Sequence, residues 1–475
     1  MTDSPDIADS VAPGVDPDAL RDADDHLNPH WVERLRAKLA EDDTAAVAEL
    51  TEPLHAADMG DLLEALDAEE RVRLVTILGD KFDFSALTEV DDTVRSEIID
   101  ELPTADVARG VAELDSDDAV HILEDIDIPE REEILAQMPA FERLSLKRSL
   151  DFPEDSAGRL MQTDFIAIPP YWSVGQTIDY LRSEKDLPDE FFQIYVVDAA
   201  YNLQGIIPLD KFLRSKRDVR IGDLMNADVI EVLATEDQEE AARDFERYDL
   251  VEVAVVDESR RLVGVLTIDD IVDVIHEEAT EDMQLLAGVG DEELSDGVAS
   301  TVRGRATWLV VNLVTAMLAS FIIGLFDATI EEMVALAALM PIVASMGGNA
   351  ATQTMTVTVR ALAMRELDSY KIRRLILREM AVGVLNGLIF AMLLGLLTWL
   401  RFFNPGLGVV IALAMIVNMI AAGTAGILIP LTLNRFKVDP AVASSVFVTT
   451  VTDVVGFFGF LGLAALSMRV FGMAS

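Results

Sequence analysis

The stretch SSVFVTTVTDVVGFFGF, residues 444–460, decides the fold. It is apolar enough to be dissolved in lipid, yet Asp453 stands in its middle with no Lys or Arg inside any apolar segment to pair with it. An ionised carboxylate at that depth costs several kcal/mol unless it faces water, a cation or a partner. Either Asp453 belongs to a cation pathway, or it is a protonated or backbone-bonded structural residue. Ser445 and Thr449 precede it by two turns and one turn, on the same helix face. The three make an oxygen-lined stripe.

Four more apolar segments lie upstream, so the spans cover about 306–326, 333–359, 380–400, 406–433 and 440–468. Each exceeds the roughly 20 helical residues that cross a hydrocarbon core. The second contains Pro341 and MGGNAATQTMTVTV (346–359). Gly347 and Gly348 permit either close helix packing or local unwinding that exposes carbonyls, and Asn349 adds a side-chain oxygen. The fourth contains Asn418 and GTAG (423–426), which read as close packing. A lining of oxygens with one carboxylate per chain suits a hard cation. Mg²⁺ in particular keeps several waters and needs few carboxylates.

Loop charge sets the orientation. Arg303, Arg305, Arg360, Arg365, Lys371, Arg373, Arg374, Arg378, Arg435 and Lys437 fall on one side, and only Arg401 and Arg469 on the other. The basic side is cytoplasmic, which puts the chain in the cell membrane with its N-terminal 300 residues in the cytoplasm and its C-terminus outside. Five spans is an odd number, so a symmetric pore comes most simply from a homodimer, with two Asp453 side chains near one axis.

The rest of the chain is its chemical opposite. Of 37 Lys and Arg and 84 Asp and Glu, residues 301–475 hold 12 and 8, leaving 25 and 76 for residues 1–300, a net of −51. No basic footprint for nucleic acid exists. Cysteine is absent, so thiolate metal sites and disulfides are excluded. The opening MTDSPDIADS lacks an apolar core, and a signal peptide is not expected. The acidity has two readings: solvation in concentrated salt, or a sensor for divalent cations.

Residues 1–28 read as a disordered acidic tail. Residues 29–150 are helical and repetitive: LHAADMGDLLEALDAEERVRLV (54–75) matches LDSDDAVHILEDIDIPEREEIL (114–135) in outline, as in an α-superhelix of stacked hairpins. Residues 151–276 begin with FPEDSAGRLM and hold two α/β units, about 160–218 and 222–276. IYVVDAAYNLQGII (194–207) aligns there with VAVVDESRRLVGVL (253–266). With no catalytic triad and no HExxH, this is a regulatory module rather than an enzyme. Asp270, Asp273 and Glu277 share a helix face, and Glu278, Glu281 and Asp282 follow. They are a solvated face or a set of like charges that divalent cations relieve.

The order of these parts resembles the MgtE family of Mg²⁺ channels and transporters, over roughly residues 30–475. The resemblance implies a multidomain homodimer: a superhelical N domain, paired CBS domains, a plug helix at 277–302 and a five-helix transmembrane domain at 303–475. It assigns the pore aspartate to Asp453, with Asn349, Ser445, Thr449, Gly347 and Gly348 along the pathway. It assigns regulatory metal contacts to Asp117, Glu239, Asp249, Asp270, Asp273, Glu277, Glu278, Glu281, Asp282 and Asp439. In the family, Mg²⁺ bridges such acids and closes the dimer, and its loss opens the pore by a population shift. Thr267 and Asp270 form the T-x-x-D arrangement of nucleotide-binding CBS units, which implies ATP as a possible ligand. The chain departs from the family at Ala351 (commonly Gly), at His121 (the third acid of Asp-Asp-x-x-Asp) and at Ser445 (often an amide). Two competing functions stand beside Mg²⁺ conduction. One is transport of Co²⁺ or Mn²⁺, against which stands the lack of soft ligands near Asp453. The other is a nucleotide or ionic-strength sensor that transports nothing, which leaves Asp453 unexplained.

Overall fold

The computed structural model describes residues 19–22, 24, 26–184, 187–188, 191–289, 297–363, 367 and 369–471. Two compact units divide at His276/Glu277. The expected tail falls mostly outside the described residues. Its end does not: Leu20 and Leu27 pack on the helical core, Asn28 is buried, and Arg21 pairs with Asp58 at 2.8 Å.

Among the described residues the first unit opens with nine helices: α1 (Pro29–Ala40), α2 (Thr44–Thr51), α3 (Ala56–Ala65), α4 (Ala68–Leu78), α5 (Asp92–Glu101), α6 (Thr104–Ala112), α7 (Ser116–Glu124), α8 (Ile128–Gln137) and α9 (Ala140–Leu150). None is long enough to be stable alone. Each is bounded by local signals and held by an apolar stripe. Asp67 and Glu70 form a reciprocal capping box at α4, and Asp43 caps α2. Helix α2 packs on α4, α6 on α8 and α7 on α9, so the core is shared between neighbours as in a superhelix.

Helix α10 (Ala157–Leu160) leads into two sheets. The first is β1 (Ala167–Ile168), β2 (Gln193–Val197) and β3 (Leu203–Pro208), with helices α11 (Val174–Ser183), α12 (Leu209–Leu213) and α13 (Ile221–Leu224). The second is β4 (Glu231–Leu233), β5 (Glu252–Val256) and β6 (Leu262–Thr267), with α14 (Gln238–Tyr248) and α15 (Ile268–Ala287). In both, the first pair is parallel and the second antiparallel, and Ile194 faces Ile207 as Val253 faces Leu266. The aligned repeats therefore share register, down to an irregularity near the end of β2 and of β5. Each unit also covers the other's sheet. Met161 and Gln162 meet β6 where Gly264 leaves room, and Met225 and Asn226 meet β3 at Gly205. A Cβ on either glycine would come within 2.6 Å of those neighbours.

The second unit is helical: α16 (Val298–Gly324), α17 (Asp327–Glu332), α18 (Ala335–Ala363), α19 (Ser369–Phe402), α20 (Pro405–Arg435) and α21 (Pro440–Phe471). Among the described residues five helices are long and apolar enough to cross a membrane. They extend the expected spans by a turn or two at several ends. Helix α20 is the most buried and packs on α18, α19 and α21. Helix α18 is continuous through Pro341 and both glycines, so the unwound alternative for that element is not what the structure has. The sequence 277–302 is not one helix. Residues 277–287 complete α15, Val298 begins the first span, and 290–296 lie outside the described residues.

Candidate functional site: a polar stripe in the membrane unit and an acid cluster outside it

Helix α21 starts where Asp439 accepts a hydrogen bond from the Ala441 amide at 2.8 Å, so this aspartate serves as an N-terminal cap. From there the helix sorts its residues by face. Val448, Thr452, Gly456 and Phe460 are buried, whereas Thr449 is exposed and Ser445 and Asp453 are partly exposed. Thr449 returns its hydroxyl to the Ser445 carbonyl at 2.8 Å. Asp453 has no hydrogen-bonding or ion-pair partner among the described residues, so its two carboxylate oxygens keep their full acceptor capacity.

Helix α18 sorts likewise. Gly347, Ala351, Thr354 and Met355 are buried, while Asn349, Thr352 and Gln353 are exposed. The two glycines have separate jobs. A Cβ on Gly347 would stand 2.2 Å from the Asn418 amide nitrogen of α20, whereas Gly348 has open space. Ala351 faces Gly426 of α20, whose added Cβ would meet the Ala351 carbonyl at 2.7 Å. The Ala-for-Gly departure thus lies at a packed helix crossing, not on the exposed face with Asn349. α18 and α21 pack together. Polar side chains on an exposed face of a membrane helix are not stable against lipid.

Two polar residues of this unit were missed or underrated in the sequence. Asn418 is fully buried and donates to the Val343 carbonyl at 2.7 Å. Glu379 on α19 is 8% exposed, accepts from Thr354 of α18 at 3.2 Å and pairs with Arg378 at 2.7 Å. An Asn in mid-span and a Glu at a span's edge were the available signals.

The acids of the first unit do not form one cluster. Asp117 and Asp118 open α7, and Asp270 opens α15; the three come together. Burial, with the neighbouring Asp270 charge, pushes Asp117 well above the usual carboxylate range. Burial and the Asp117 charge push Asp118 up to about 7. Burial pushes Asp270 up to about 7 as well, against the hydrogen bond it accepts from Thr267 at 2.6 Å. Asp117 is 7% exposed, and its Oδ1 is buried without a hydrogen-bond partner. His121 leaves this group. It meets Arg95 at 2.8 Å and Glu124 at 3.4 Å; burial lowers its pKa most, but Glu124 and Asp125 together raise it above the ordinary value. Asp273 is raised chiefly by burial. Glu239 is engaged with Arg243 on its own helix, and Asp249 ends α14 in the left-handed conformation (φ 52°). Glu277 and Glu281 are exposed on α15, Glu278 and Asp282 partly so. Among the described residues, no three Asp, Glu or His side chains stand close enough together to hold a metal ion as placed. Leu285 and Leu286, in the last turn of α15, pack against Ala351, Met355, Ala422, Ala441 and Val448 of the membrane helices.

Known proteins resemble this chain in sequence. Residues 54–155 match the MgtE intracellular N domain, 221–277 the CBS domain and 340–463 the divalent cation transporter domain MgtE. A magnesium transporter MgtE of Thermus thermophilus is 32% identical over 442 residues, 92% of this chain and 98% of the relative. That of Bacillus subtilis is 30% identical over 408 residues, 86% and 90%. The solved cytosolic domain of a Mg²⁺ channel MgtE in complex with ATP is 28% identical with a TM-score of 0.47, covering 51% of this chain and 99% of that one.

Proposed function

The chain belongs to the MgtE family of magnesium transporters, and from that premise we propose that it is a homodimeric, multi-pass channel for Mg²⁺ whose pore is lined by Asp453, Thr449, Ser445 and Asn349. The observation that carries this reading is the unpartnered Asp453 carboxylate on a partly exposed polar face of α21. Lipid would penalise that face, and a second copy would enclose it. Two copies bring two carboxylates to one axis. A hydrated divalent cation satisfies both charges through its own waters and is not caged, as conduction requires. Basic loops support a cytoplasmic place for the acidic domains, and the electrochemical gradient would drive Mg²⁺ inward.

Regulation in this reading belongs to Asp117, Asp118 and Asp270, with Asp273, Glu277, Glu278, Glu281 and Asp282 further along α15. The oxygen-only donors, the unpartnered Asp117 Oδ1 and the mutual repulsion fit a hard cation. Asp117, Asp118 and Asp270 would hold a regulatory Mg²⁺ whose charge offsets their close approach. With that charge absent, the acids repel, α7 and α15 separate, and the open population grows. Leu285 and Leu286 tie the end of α15 to α18, α20 and α21, the plug role expected of that segment. ATP is proposed as a ligand of Thr267 and Asp270.

Asp453→Ala is expected to abolish Mg²⁺ flux into proteoliposomes while the protein still elutes as a dimer. Wild-type flux in that variant would end the assignment. Competition by Co²⁺ and Mn²⁺ in the same assay tests the cargo.

A further inference from the structure

Asn418 holds a place that neither the pore nor the regulatory reading uses. It lies midway along α20, 0% exposed, where α18, α20 and α21 converge. Its amide occupies a hole left by two glycines. A Cβ on Gly347 of α18 would stand 2.2 Å from Nδ2 and 2.9 Å from Oδ1, and a Cβ on Gly456 of α21 would stand 3.1 Å from both. Nδ2 donates to the Val343 carbonyl of α18 at 2.7 Å, one turn before Gly347. Oδ1 is buried and accepts nothing. A buried polar atom left unsatisfied is costly, and an apolar side chain of the same shape would avoid that cost. Packing alone therefore does not account for an amide here.

We infer that Asn418 is a positioning residue for the ion pathway: its amide locks the Gly-Gly-Asn element of α18 against the segment of α21 that carries Asp453. The geometry supports this in three steps. The donor fixes the axial register of α18 on α20, because Val343 and Asn349 sit on one continuous helix. The planar amide, inserted against Gly456, fixes how closely α21 approaches, and Asp453 lies three residues from that contact, about one turn. The unpartnered Oδ1 leaves this contact short of one hydrogen bond, so α21 is held by shape and not by a bond across the amide. The lock is thus strong towards α18 and weak towards α21, which lets the Asp453 helix shift while the Asn349 helix stays. The inference deepens the transport reading and rests on it.

The test is a flux and melting comparison on the full-length protein. Asn418→Leu keeps the volume and removes both polar atoms. It is expected to melt within a few degrees of wild type, yet to lower maximal Mg²⁺ flux into proteoliposomes about tenfold, the weight of one buried hydrogen bond. It is also expected to alter the ratio of Mg²⁺ to Ca²⁺ flux, which a purely structural role would leave unchanged. Gly347→Ala alone is expected to lose flux, because its methyl group meets the amide. Combined with Asn418→Ala it is expected to regain flux above either single variant, since the methyl then fills the hole. Wild-type flux and selectivity in Asn418→Leu, or a double variant that shows only the product of the single effects, would overturn the inference. A wild-type protein that carries no Mg²⁺ would instead overturn the transport reading beneath it, and the two failures are distinguishable.

Discussion

Arg95 is the charge about which the acid-bearing helices are assembled, and its removal has a calculable cost. The side chain is 1% exposed. Nη1 donates to the Leu87 carbonyl at 3.3 Å and meets His121 Nε2 at 2.8 Å, while Nη2 donates to Asp125 at 2.5 Å and to Asp92. Arg95→Met keeps the aliphatic stem and removes every donor. Stripping one partner from a buried ion pair costs about 3–5 kcal/mol. Here the side chains of Asp92 and Asp125 are 59% and 29% exposed, so water reaches both once the guanidinium is gone. That places the cost at the lower end, about 3 kcal/mol. With about 2.1 cal/mol/K of unfolding entropy per residue, the melting temperature of a unit of this size falls by roughly 5 °C. Thermal unfolding of the full chain in detergent, followed by circular dichroism, measures it. A functional arm separates regulation from conduction. His121 sits one turn beyond Asp117 and Asp118 on α7, so loosening Arg95 also loosens the acids that face Asp270. The variant should keep wild-type maximal flux and lose part of its closure by internal Mg²⁺. A melting temperature within about 1 °C of wild type, or lost flux with intact closure, would refute the reasoning.

Two further outcomes are expected. Glu252 accepts from Tyr195 at 2.5 Å and from the Phe192 amide at 2.9 Å across the paired sheets, and burial raises its pKa despite those bonds. Folded Glu252 therefore binds its proton more tightly than the unfolded chain does, and stability falls as pH rises from the ordinary carboxylate range through the raised value, then levels. Glu252→Gln should flatten that part of the melting profile, and an unchanged profile would show that another group carries it. Thr267→Val removes the hydroxyl that donates to Asp270 at 2.6 Å. It should weaken ATP binding about tenfold in calorimetric titration, and an unaltered affinity would move the nucleotide elsewhere.

Legibility in the sequence followed the strength of the local signal. The spans were plain because each is a long, predominantly apolar run, and the CBS pair because two segments of one length repeat the same alternation. The register of β2 on β3 and of β5 on β6 repeats with the spacing the alignment gives. Helix ends were less legible, since α18 and α19 run past their apolar cores into charged residues that hydropathy discounts. Among site residues, Asp453 announced itself by its cost. Asn418 did not, because an amide in a membrane helix is common glue, and only the two glycines facing it, far away in sequence, reveal its role. The acids were hardest. Asp117, Asp118 and Asp270 look like their dozens of neighbours, and what sets them apart is a meeting between residues about 150 positions apart.

In the proposed regulation, that meeting separates a few sensing acids from the many that serve solvation. Many acids of the first unit have local work: Asp43 and Asp67 cap helices, Asp58 pairs with Arg21, Glu70 with Arg36, Glu97 with Arg71 and Asp42 with Arg73. Such exposed charges are screened within about 3 Å in molar salt. Their repulsion is then negligible, so they cannot report on a divalent cation against a salty background. A buried group is screened far less. Charges on Asp117, Asp118 and Asp270 interact with little screening because burial keeps the salt out, and the same burial raises their pKa values, so a bound cation would compete with protons there. A sensor that must distinguish Mg²⁺ from abundant K⁺ has to be built from such groups. The consequence is measurable: closure by internal Mg²⁺ should persist as KCl is raised from 0.1 M to about 2 M. Closure that vanishes with salt would return the sensing role to the exposed face of α15.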